Sequence, residues 1–272
     1  MANRFAYIFM IYIHIVTSVV GQNNSSDYRV VYDYTYYQDT INHKTKNDLF
    51  YLDIKSNESL FYSYYTEQSD SLRSTPEGRK KWRELFKAAV AKEGANTIAF
   101  PHKRSTFRVW KDQKTGKAVV ADRLGNEKFL YQEEIKNIDW ELQDSVKNIM
   151  NLQVQLAKGT YHGRIWNVWF TMDLPWQEGP WMLCGLPGLI VEAYDINCHH
   201  KFSILRIEER VLKDISFNTH EGKVVDRKEF LRKRRKYLVN LSNRVAITTG
   251  IDELAGKSEL KYDFLETDYK QP

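Results

Sequence analysis

The sequence predicts a mainly β fold of the β-rich α+β class: a large curved antiparallel meander, forming a half-barrel or open barrel, with two helices packed on it. Three observations lead to this prediction. The 272 residues include 17 tyrosines and 7 tryptophans, which are typical of sheets. Most of the chain alternates polar residues with Tyr, Phe, Val or Ile, and Gly, Asn and Asp separate the alternating segments. The separations are too short for parallel crossovers, so neighbouring strands should pair antiparallel.

The predicted strands follow one another at short intervals. Turn signals around Gly116, Gly125 and Gly159 separate several of them. The alternating segments predict strands at about Tyr28–Tyr37, Asp48–Lys55, Ser59–Thr66, Ser105–Lys111, Lys117–Arg123, Glu127–Glu133, Ile138–Val146, Ile149–Ala157, Arg164–Met172, Leu189–Asp195 and Lys201–Glu208.

A first helix is predicted from the cap sequence Ser74–Glu77 to Gly94, with a proline in its first turn. We expect it to lie on the sheet through an apolar face made of Trp82, Leu85, Phe86, Ala89 and Val90.

A second helix is predicted to begin at Asp226. It carries Phe230 and Leu231 on one side and a basic run, residues 232–236, on the other. The basic run is interpreted as a solvated helix face, and a membrane-surface or nucleic-acid patch is the alternative.

Residues 1–21 have the pattern of a secretory signal peptide, because a short basic start precedes an apolar run from Phe5 to Val20. We therefore expect an exported protein with a single domain over residues 22–272, whose tail, about 251–272, is loosely ordered. An uncleaved membrane anchor is the alternative, but the apolar run is short for a span and contains His14.

The composition excludes several classes of protein. Hydrophobic residues make up 42% of the chain, which excludes a disordered protein, and about 250 residues suffice for one core. The net charge of +5 is small for this length and gives no reason to expect a nucleic-acid partner. After signal cleavage, we do not expect an integral membrane protein.

The two cysteines, Cys184 and Cys198, lie at opposite ends of a predicted strand, which separates them by about 25 Å. Two free thiols are therefore favoured over a disulfide, which stays the alternative. Cys198 and His200 share one side of an extended backbone and are weak candidates for a metal site, which His162 would complete. An exposed hairpin turn is the favoured interpretation, and no cofactor is expected.

The sequence contains none of the common catalytic signatures of hydrolases, zinc proteases or nucleotide-binding enzymes. Catalytic groups can still assemble from distant positions. A hydrolase that uses His162 with Asp173 or Glu192 is therefore kept as an alternative function, and no catalytic residue is assigned.

The segment from Tyr161 to Asp195 holds four of the seven tryptophans. Its first strand carries a tryptophan on each face, which is typical of a strand covered on both sides. Large aromatic rings there belong to a core more often than to a ligand site, but indoles on the concave side of a curved sheet also hold apolar ligands. The candidate ligand-binding residues are Arg164, Trp166, Trp169, Trp176 and Trp181.

The same segment contains a constrained motif, whose structural residues are Gly185, Leu186, Pro187, Gly188, Leu189 and Ile190. Pro187 fixes φ near −65° and Gly188 can adopt positive φ, so the motif predicts a type II turn that directs Leu189 into the sheet. Gly185 is expected to allow a close approach of the chain. An anion held by the backbone amides of the turn is the alternative.

This segment resembles the GLPGLI family, exported proteins typical of Bacteroidota. The resemblance rests on the motif itself and on upstream matches at Gly163, Arg164, Trp169, Thr171, Pro175, Gly179 and Pro180. Phe170 stands where the family commonly has Tyr, and Val154 stands where many members have Cys. The resemblance implies a location in the periplasm or on the surface of a Gram-negative bacterium. It also implies a gene that lies beside those of TonB-dependent outer-membrane receptors, and it defines no catalytic residue.

These observations favour a non-enzymatic binding or carrier protein, in which an apolar concave face holds a lipid, an acyl chain or an extended peptide. The expected partner is an apolar ligand or an envelope protein, with a TonB-dependent receptor as one such protein. An interaction module for an outer-membrane complex is a further alternative, which an exposed apolar patch or a free sheet edge would favour.

Overall fold

The computed structural model of the chain describes residues 27–94, 99–135, 138–212, 215, 222–249 and 262–270. The predicted signal peptide lies outside them. The described residues form twelve strands in one open sheet, and the predicted β-rich fold class is confirmed. The strands are β1 Tyr28–Asp39, β2 Lys44–Lys55, β3 Glu58–Ser63, β4 Arg108–Asp112, β5 Lys117–Leu124, β6 Glu127–Glu134, β7 Glu141–Ile149, β8 Leu152–Tyr161, β9 Arg164–Thr171, β10 Leu189–Asp195, β11 His200–Glu209 and β12 Lys223–Val224.

The sheet consists of two antiparallel runs rather than one continuous meander. Its strand order is β12-β6-β5-β4-β3-β2-β1-β11-β10-β9-β8-β7, so the runs β1–β6 and β7–β11 meet where β1 pairs with β11. The two-residue strand β12 adds a short parallel pair with β6. Neither of these non-local strand pairings can be predicted from the alternation of polar and apolar residues in the sequence.

The connection between the two runs requires the sheet to be strongly curved. Strands β6 and β7 are ten strand spacings apart in the order, which is roughly 48 Å along the sheet. The chain between Glu134 and Glu141 reaches at most about 25 Å. The sheet therefore curls until its two ends approach each other, as expected for an open barrel.

The chain's own residues fill the inner face of this curled sheet. Inward side chains of the strands form one core with residues from the segment between β9 and β10, from the third helix and from the C-terminus. The residues that these three parts contribute include Trp181, Met182, Leu183, Phe230, Leu231, Phe264 and Tyr269, all of them buried. The apolar concave face predicted from the sequence thus serves as the core.

The structure has three α-helices among the described residues: α1 Tyr64–Ser74, α2 Pro76–Glu93 and α3 Arg227–Thr249. The prediction missed α1 and extended strand β3 into it. The strand ends because the Ser63 hydroxyl accepts a hydrogen bond from the backbone N–H of Thr66 at 3.2 Å and so caps α1.

Helix α2 has the predicted ends. The Thr75 hydroxyl caps it by accepting the Gly78 N–H at 3.0 Å, and Gly94 ends it with a φ of 87°. It packs against α1, and α1 in turn contacts β2 and β3. The expectation of helices packed on the sheet is confirmed, and α2 is joined to the sheet mainly through α1.

Residues 262–270, here called the C-terminal strap, pack against the core, so the predicted loose tail does not extend over them. Tyr269 and Phe264 are buried, and the backbone N–H of Thr267 donates to the His162 carbonyl at 2.9 Å. The rest of the predicted loose tail, residues 251–261 and 271–272, lies outside the described residues. Within the part of the chain that is described, no helix is long and apolar enough to cross a membrane.

Candidate functional site

The GLPGLI motif forms a different turn from the one predicted. The Gly188 N–H donates to the Leu186 carbonyl at 2.7 Å across Pro187, which is an inverse γ-turn. The two glycines also exchange their expected roles. Gly185 has the positive φ, 88°, and open space around it. A Cβ on Gly188 would lie 1.9 Å from the Thr171 carbonyl oxygen, so Gly188 is the position of close approach.

A buried ion pair holds the segment that leads into the motif. Lys111 of β4 is fully buried, and its Nζ lies 2.5 Å from Glu178 Oε2 and 3.3 Å from the Gly179 carbonyl oxygen. Gln113 donates to the other oxygen of Glu178 at 2.7 Å. Because these bonds join β4 to the segment between β9 and β10, they fix the motif across the inside of the sheet.

The four candidate tryptophans divide into two pairs. Trp166 and Trp181 are buried in the core with ring centroids 5.8 Å apart, and Trp181 also meets Tyr161. Trp169 and Trp176 are half-buried at the periphery of the core. The pairs lie in different environments, and in the described residues no single cavity brings all four rings together.

The two half-buried rings contact other side chains of the protein. Lys147 of β7 places its ammonium 4.1 Å from the centroid of the Trp169 ring, a cation–π contact. The Trp176 ring lies 4.3 Å from that of Tyr28, at the start of β1.

Arg164, the charged candidate for ligand binding, is buried and bonded within the protein. Its guanidinium lies 3.0 Å from Asp195 and 2.7 Å from Asp263 of the C-terminal strap. It also donates to the carbonyl oxygens of Phe264 and Leu265. The strap thus occupies the donors that the sequence suggested for a ligand.

His162 lies in a second charged cluster under the strap. Its ring nitrogens lie 3.1 Å from Glu133 and 3.4 Å from Asp268. Arg227, at the start of α3, binds the same two residues and also Glu266, at 2.7, 2.5 and 2.5 Å. Burial raises the pKa of Glu266, although the charges of His162 and Arg227 act in the opposite direction.

This cluster also contains three possible metal ligands. The ligand atoms of His162, Glu266 and Asp268 lie within 4.8 Å of one another. The guanidinium of Arg227 contacts both carboxylates, so an arginine already supplies the cation that the cluster requires. The arrangement is that of a structural ion network that fastens the strap to the sheet.

The predicted metal candidates Cys198 and His200 have different surroundings. His200 is buried between the Tyr34 hydroxyl at 2.7 Å and the Asp263 carbonyl at 2.9 Å. Burial, together with the charge of Arg164, lowers the pKa of His200 to about 3. Cys198 is exposed in the β10–β11 turn, and both cysteines are free thiols. Within the described residues the two do not belong to any group of three possible ligands.

The hydrolase alternative required a His and a carboxylate in contact within a cleft. The contacts of His162 are with Glu133 and Asp268 rather than Asp173 or Glu192. The enclosed cavity beneath the strap, which Glu266 lines, has a volume of only about 10 Å³. The pairing of His162 with Asp173 or Glu192 is therefore not formed, and this cavity has no room for a substrate.

An open groove of about 520 Å³ lies beside the motif. One wall is formed by Gly185, Leu186 and Pro187, and the other by residues 138–142, which lead into β7. The Trp140 indole donates to the Cys184 carbonyl at 2.9 Å and so ties the two walls together. This groove was not predicted from the sequence, because its two walls lie far apart along the chain and meet only in the folded sheet.

The packing of Trp140 depends on a glycine in the neighbouring strand. A Cβ on Gly159 of β8 would lie 2.7 Å from the indole ring, so the absence of a side chain there lets the ring pack on the strand. Asp139 and Glu141, both exposed, add negative charge to the groove, and its eight lining residues include no lysine or arginine.

Strand β7 borders the groove and is the last strand of the sheet. Among the described residues it pairs with β8 alone, and the pairing is interrupted between Leu142 and Val146. Leu142 is 52% exposed and Val146 61%. A terminal strand with exposed apolar side chains offers both backbone hydrogen-bonding groups and apolar contact to another chain.

A family model matches the part of the chain that contains the motif, but that family has no known activity. Residues 110–192, fewer than half of the chain, match the model of a family described as "Protein of unknown function (Porph_ging)". The match ends just after the GLPGLI motif, and it includes both walls of the groove. No curated protein matches the sequence.

Solved structures support the fold. The structure of PNGF-II in space group P21 has a TM-score of 0.53 and 14% identity over 78% of this chain and 34% of that chain. The C2 form gives the same values with 33% of that chain covered. The match to an outer membrane lipoprotein-sorting protein domain from Vibrio parahaemolyticus covers 73% of this chain and 92% of that chain at 7% identity. Its TM-score of 0.26 is too low to indicate a shared fold. This chain is therefore similar in fold to about one third of PNGF-II.

Proposed function

We propose that the protein is a non-enzymatic binding protein of the cell envelope that takes up an extended peptide segment of a partner protein along β7. The observation that carries the proposal is the edge of β7, which among the described residues pairs with β8 alone and has exposed apolar side chains beside the groove of the GLPGLI motif. Addition of a strand to such an edge forms main-chain hydrogen bonds, and the groove receives side chains of the added segment.

The filling of the inner face supports an outer site. Two of the four tryptophans expected to line a concave pocket, Trp166 and Trp181, are part of the core, and the cavity beneath the strap holds no more than a water molecule. A lipid or acyl chain requires a pocket of several hundred Å³. Of the ligands considered from the sequence, an extended peptide therefore fits the described surface best.

The charge of the groove defines the partner further. Asp139 and Glu141 face a groove that has no cationic residue in its lining. An acidic groove with apolar walls favours a segment that alternates apolar residues with lysine or arginine, because such a segment satisfies both the walls and the charges. The apolar run in residues 5–20 supports an exported protein, and a TonB-dependent receptor is the partner class that the family resemblance implies.

The experiment measures binding of eight-residue peptides with alternating apolar and basic residues by fluorescence anisotropy. The test variant is Leu142→Lys/Val146→Lys, which places two positive charges on the edge. The matched control is Ile165→Lys/Leu205→Lys, whose wild-type residues are 46% and 47% exposed on other strands. We expect the test variant to weaken binding at least about tenfold, since it removes apolar contact and adds repulsion, and the control to bind like the wild type.

Two results would contradict the proposal. One is equal binding by both variants, which would place the peptide elsewhere. The other is a stoichiometric lipid retained by the folded protein in native mass spectrometry.

A second experiment tests the partner class. Segments of TonB-dependent receptors that face the periplasm are compared with scrambled versions of the same sequences, and equal affinity for both would reject that partner class.

A further inference from the structure

Helix α2 presents an unusual surface for a helix attached to a sheet protein. Its side chains are exposed nearly all round, and Ala89 is its buried residue. It carries six basic and three acidic residues, so it contributes three of the five net positive charges of the whole chain. Helix α1 separates it from the sheet, which leaves α2 at the periphery of the molecule.

A cluster of aromatic rings lies along one side of this helix. Trp82 and Phe86 stack with centroids 5.7 Å apart, and Phe100 meets them at 5.6 and 5.0 Å. The Trp82 indole donates to the Pro101 carbonyl, which fixes the ring. Phe86 remains 37% exposed at the surface of the helix.

Arginines surround the aromatic cluster. The Arg73 guanidinium lies 4.9 Å from the centroid of the Trp82 ring. Arg79 donates to the carbonyl oxygens of Arg73 and Ser74 at the junction between α1 and α2, and Arg83 follows one turn later. Helical spacing of three residues places Arg79 beside Trp82 and Arg83 beside Phe86. The cluster is therefore an aromatic surface with a basic border.

We propose that this side of α2 binds an anionic lipid surface. Guanidinium and ammonium groups bind lipid phosphates, while half-exposed aromatic rings favour the boundary between headgroups and acyl chains. The abundance of positive charge on one peripheral helix supplies the charge complementarity. The proposal is independent of the peptide site on β7, because different residues carry it.

The basic run of α3, considered above as a membrane patch, lacks these features. Lys233 is paired with Glu229 at 2.8 Å, and Arg234 with Asp122 at 3.1 Å. The apolar residues of the same helix, Phe230 and Leu231, are buried in the core and unavailable to a membrane. Among the side chains that the structure describes, α2 exposes two large apolar residues, Leu85 and Phe86, and α3 exposes Tyr237.

The experiment measures cosedimentation of the protein with vesicles of phosphatidylglycerol and phosphatidylcholine in equal parts, and with pure phosphatidylcholine vesicles. The test variant is Arg79→Glu/Arg83→Glu, on the aromatic side of α2. The matched control, Arg232→Glu/Arg235→Glu, makes the same charge change on exposed residues of α3. Since each basic residue near an anionic membrane contributes about fivefold to binding, we expect at least a tenfold loss for the test variant and less than a threefold loss for the control.

Further measurements separate the membrane from other partners. Phe86→Ser should weaken binding to the anionic vesicles about fivefold at unchanged charge, while circular dichroism verifies that each variant folds. Equal binding to both vesicle types, equal losses in the α2 and α3 variants, or an unchanged affinity of Phe86→Ser would each overturn the proposal. So would binding to polyglutamate as tight as binding to the anionic vesicles, since it would indicate an acidic polypeptide instead.

Discussion

Replacing Gly188 with alanine should destabilise the protein strongly. The added Cβ would lie 1.9 Å from the carbonyl oxygen and 2.7 Å from the carbonyl carbon of Thr171. Both are backbone atoms of β9, so no side-chain rotation relieves the overlap. Relief requires a backbone shift of more than about 1 Å in a close-packed region, where Leu189 pairs directly with Thr171.

The expected cost follows from the contacts that such a shift disturbs. Overpacking of a core costs about 1–3 kcal/mol. The shift also weakens the hydrogen bond from the Leu189 N–H to the Leu174 carbonyl, which adds about 1 kcal/mol. We therefore expect a loss of roughly 2–4 kcal/mol in the free energy of unfolding, a large fraction of the stability of a typical domain.

Gly185→Ala is the matched control within the same motif. Its Cβ would meet nothing within 4 Å, so its cost is the strain of positive φ, about 1 kcal/mol. Urea unfolding followed by tryptophan fluorescence measures both variants. If Gly188→Ala costs no more than Gly185→Ala, close approach is not what Gly188 provides, and the reasoning about the motif is refuted.

Three other predictions concern buried groups. The free energy of unfolding should fall as the pH drops from about 6.5 towards 3. In that range His200 takes up a proton in the unfolded chain but not in the folded protein, where its pKa is lowered to about 3. His200→Gln should flatten this part of a profile of urea midpoint against pH, and an unchanged slope would contradict the assignment. Lys111→Met should cost about 3–5 kcal/mol in chemical denaturation because it leaves Glu178 buried without its cation, and the double variant with Glu178→Gln should recover part of this loss; no recovery would show that the pair is not coupled. A thiol reagent should label one cysteine in the folded protein, exposed Cys198, because burial raises the pKa of Cys184 to about 11; labelling that persists in Cys198→Ser would refute this.

The sequence predicts the strands well because period-two alternation is a local property that burial on one face imposes. The same reasoning does not reveal which strands meet across the sheet. The pairing of β1 with β11, for example, joins Tyr28 to Glu209. Helix α1 was missed because its residues lack an apolar stripe; the Ser63 cap and packing against neighbours determine its conformation instead.

The C-terminal strap shows how composition can mislead. The tail is polar on average, which suggested a loose end. Phe264 and Glu266 are nevertheless buried between half-buried neighbours, and the spacing of Tyr262 and Phe264 is the part of this pattern that signals one-sided burial in the sequence. The charges of the strap were equally uninformative by themselves, since their partners, Arg164 and Arg227, lie far away in the sequence.

The glycines of the motif connect folding with the proposed site. Because Gly188 has no side chain, the chain lies directly against β9. This contact positions the exposed residues just before it, Gly185 and Pro187, which belong to one wall of the groove. A change at Gly188 should therefore disturb folding and peptide binding together, since the wall loses its support. A change at Gly185 should alter the wall while leaving the core nearly intact, since its added methyl group points into open space. Comparing peptide affinity in the two glycine variants under native conditions thus separates the structural role of the motif from its proposed binding role, which stability measurements alone do not achieve.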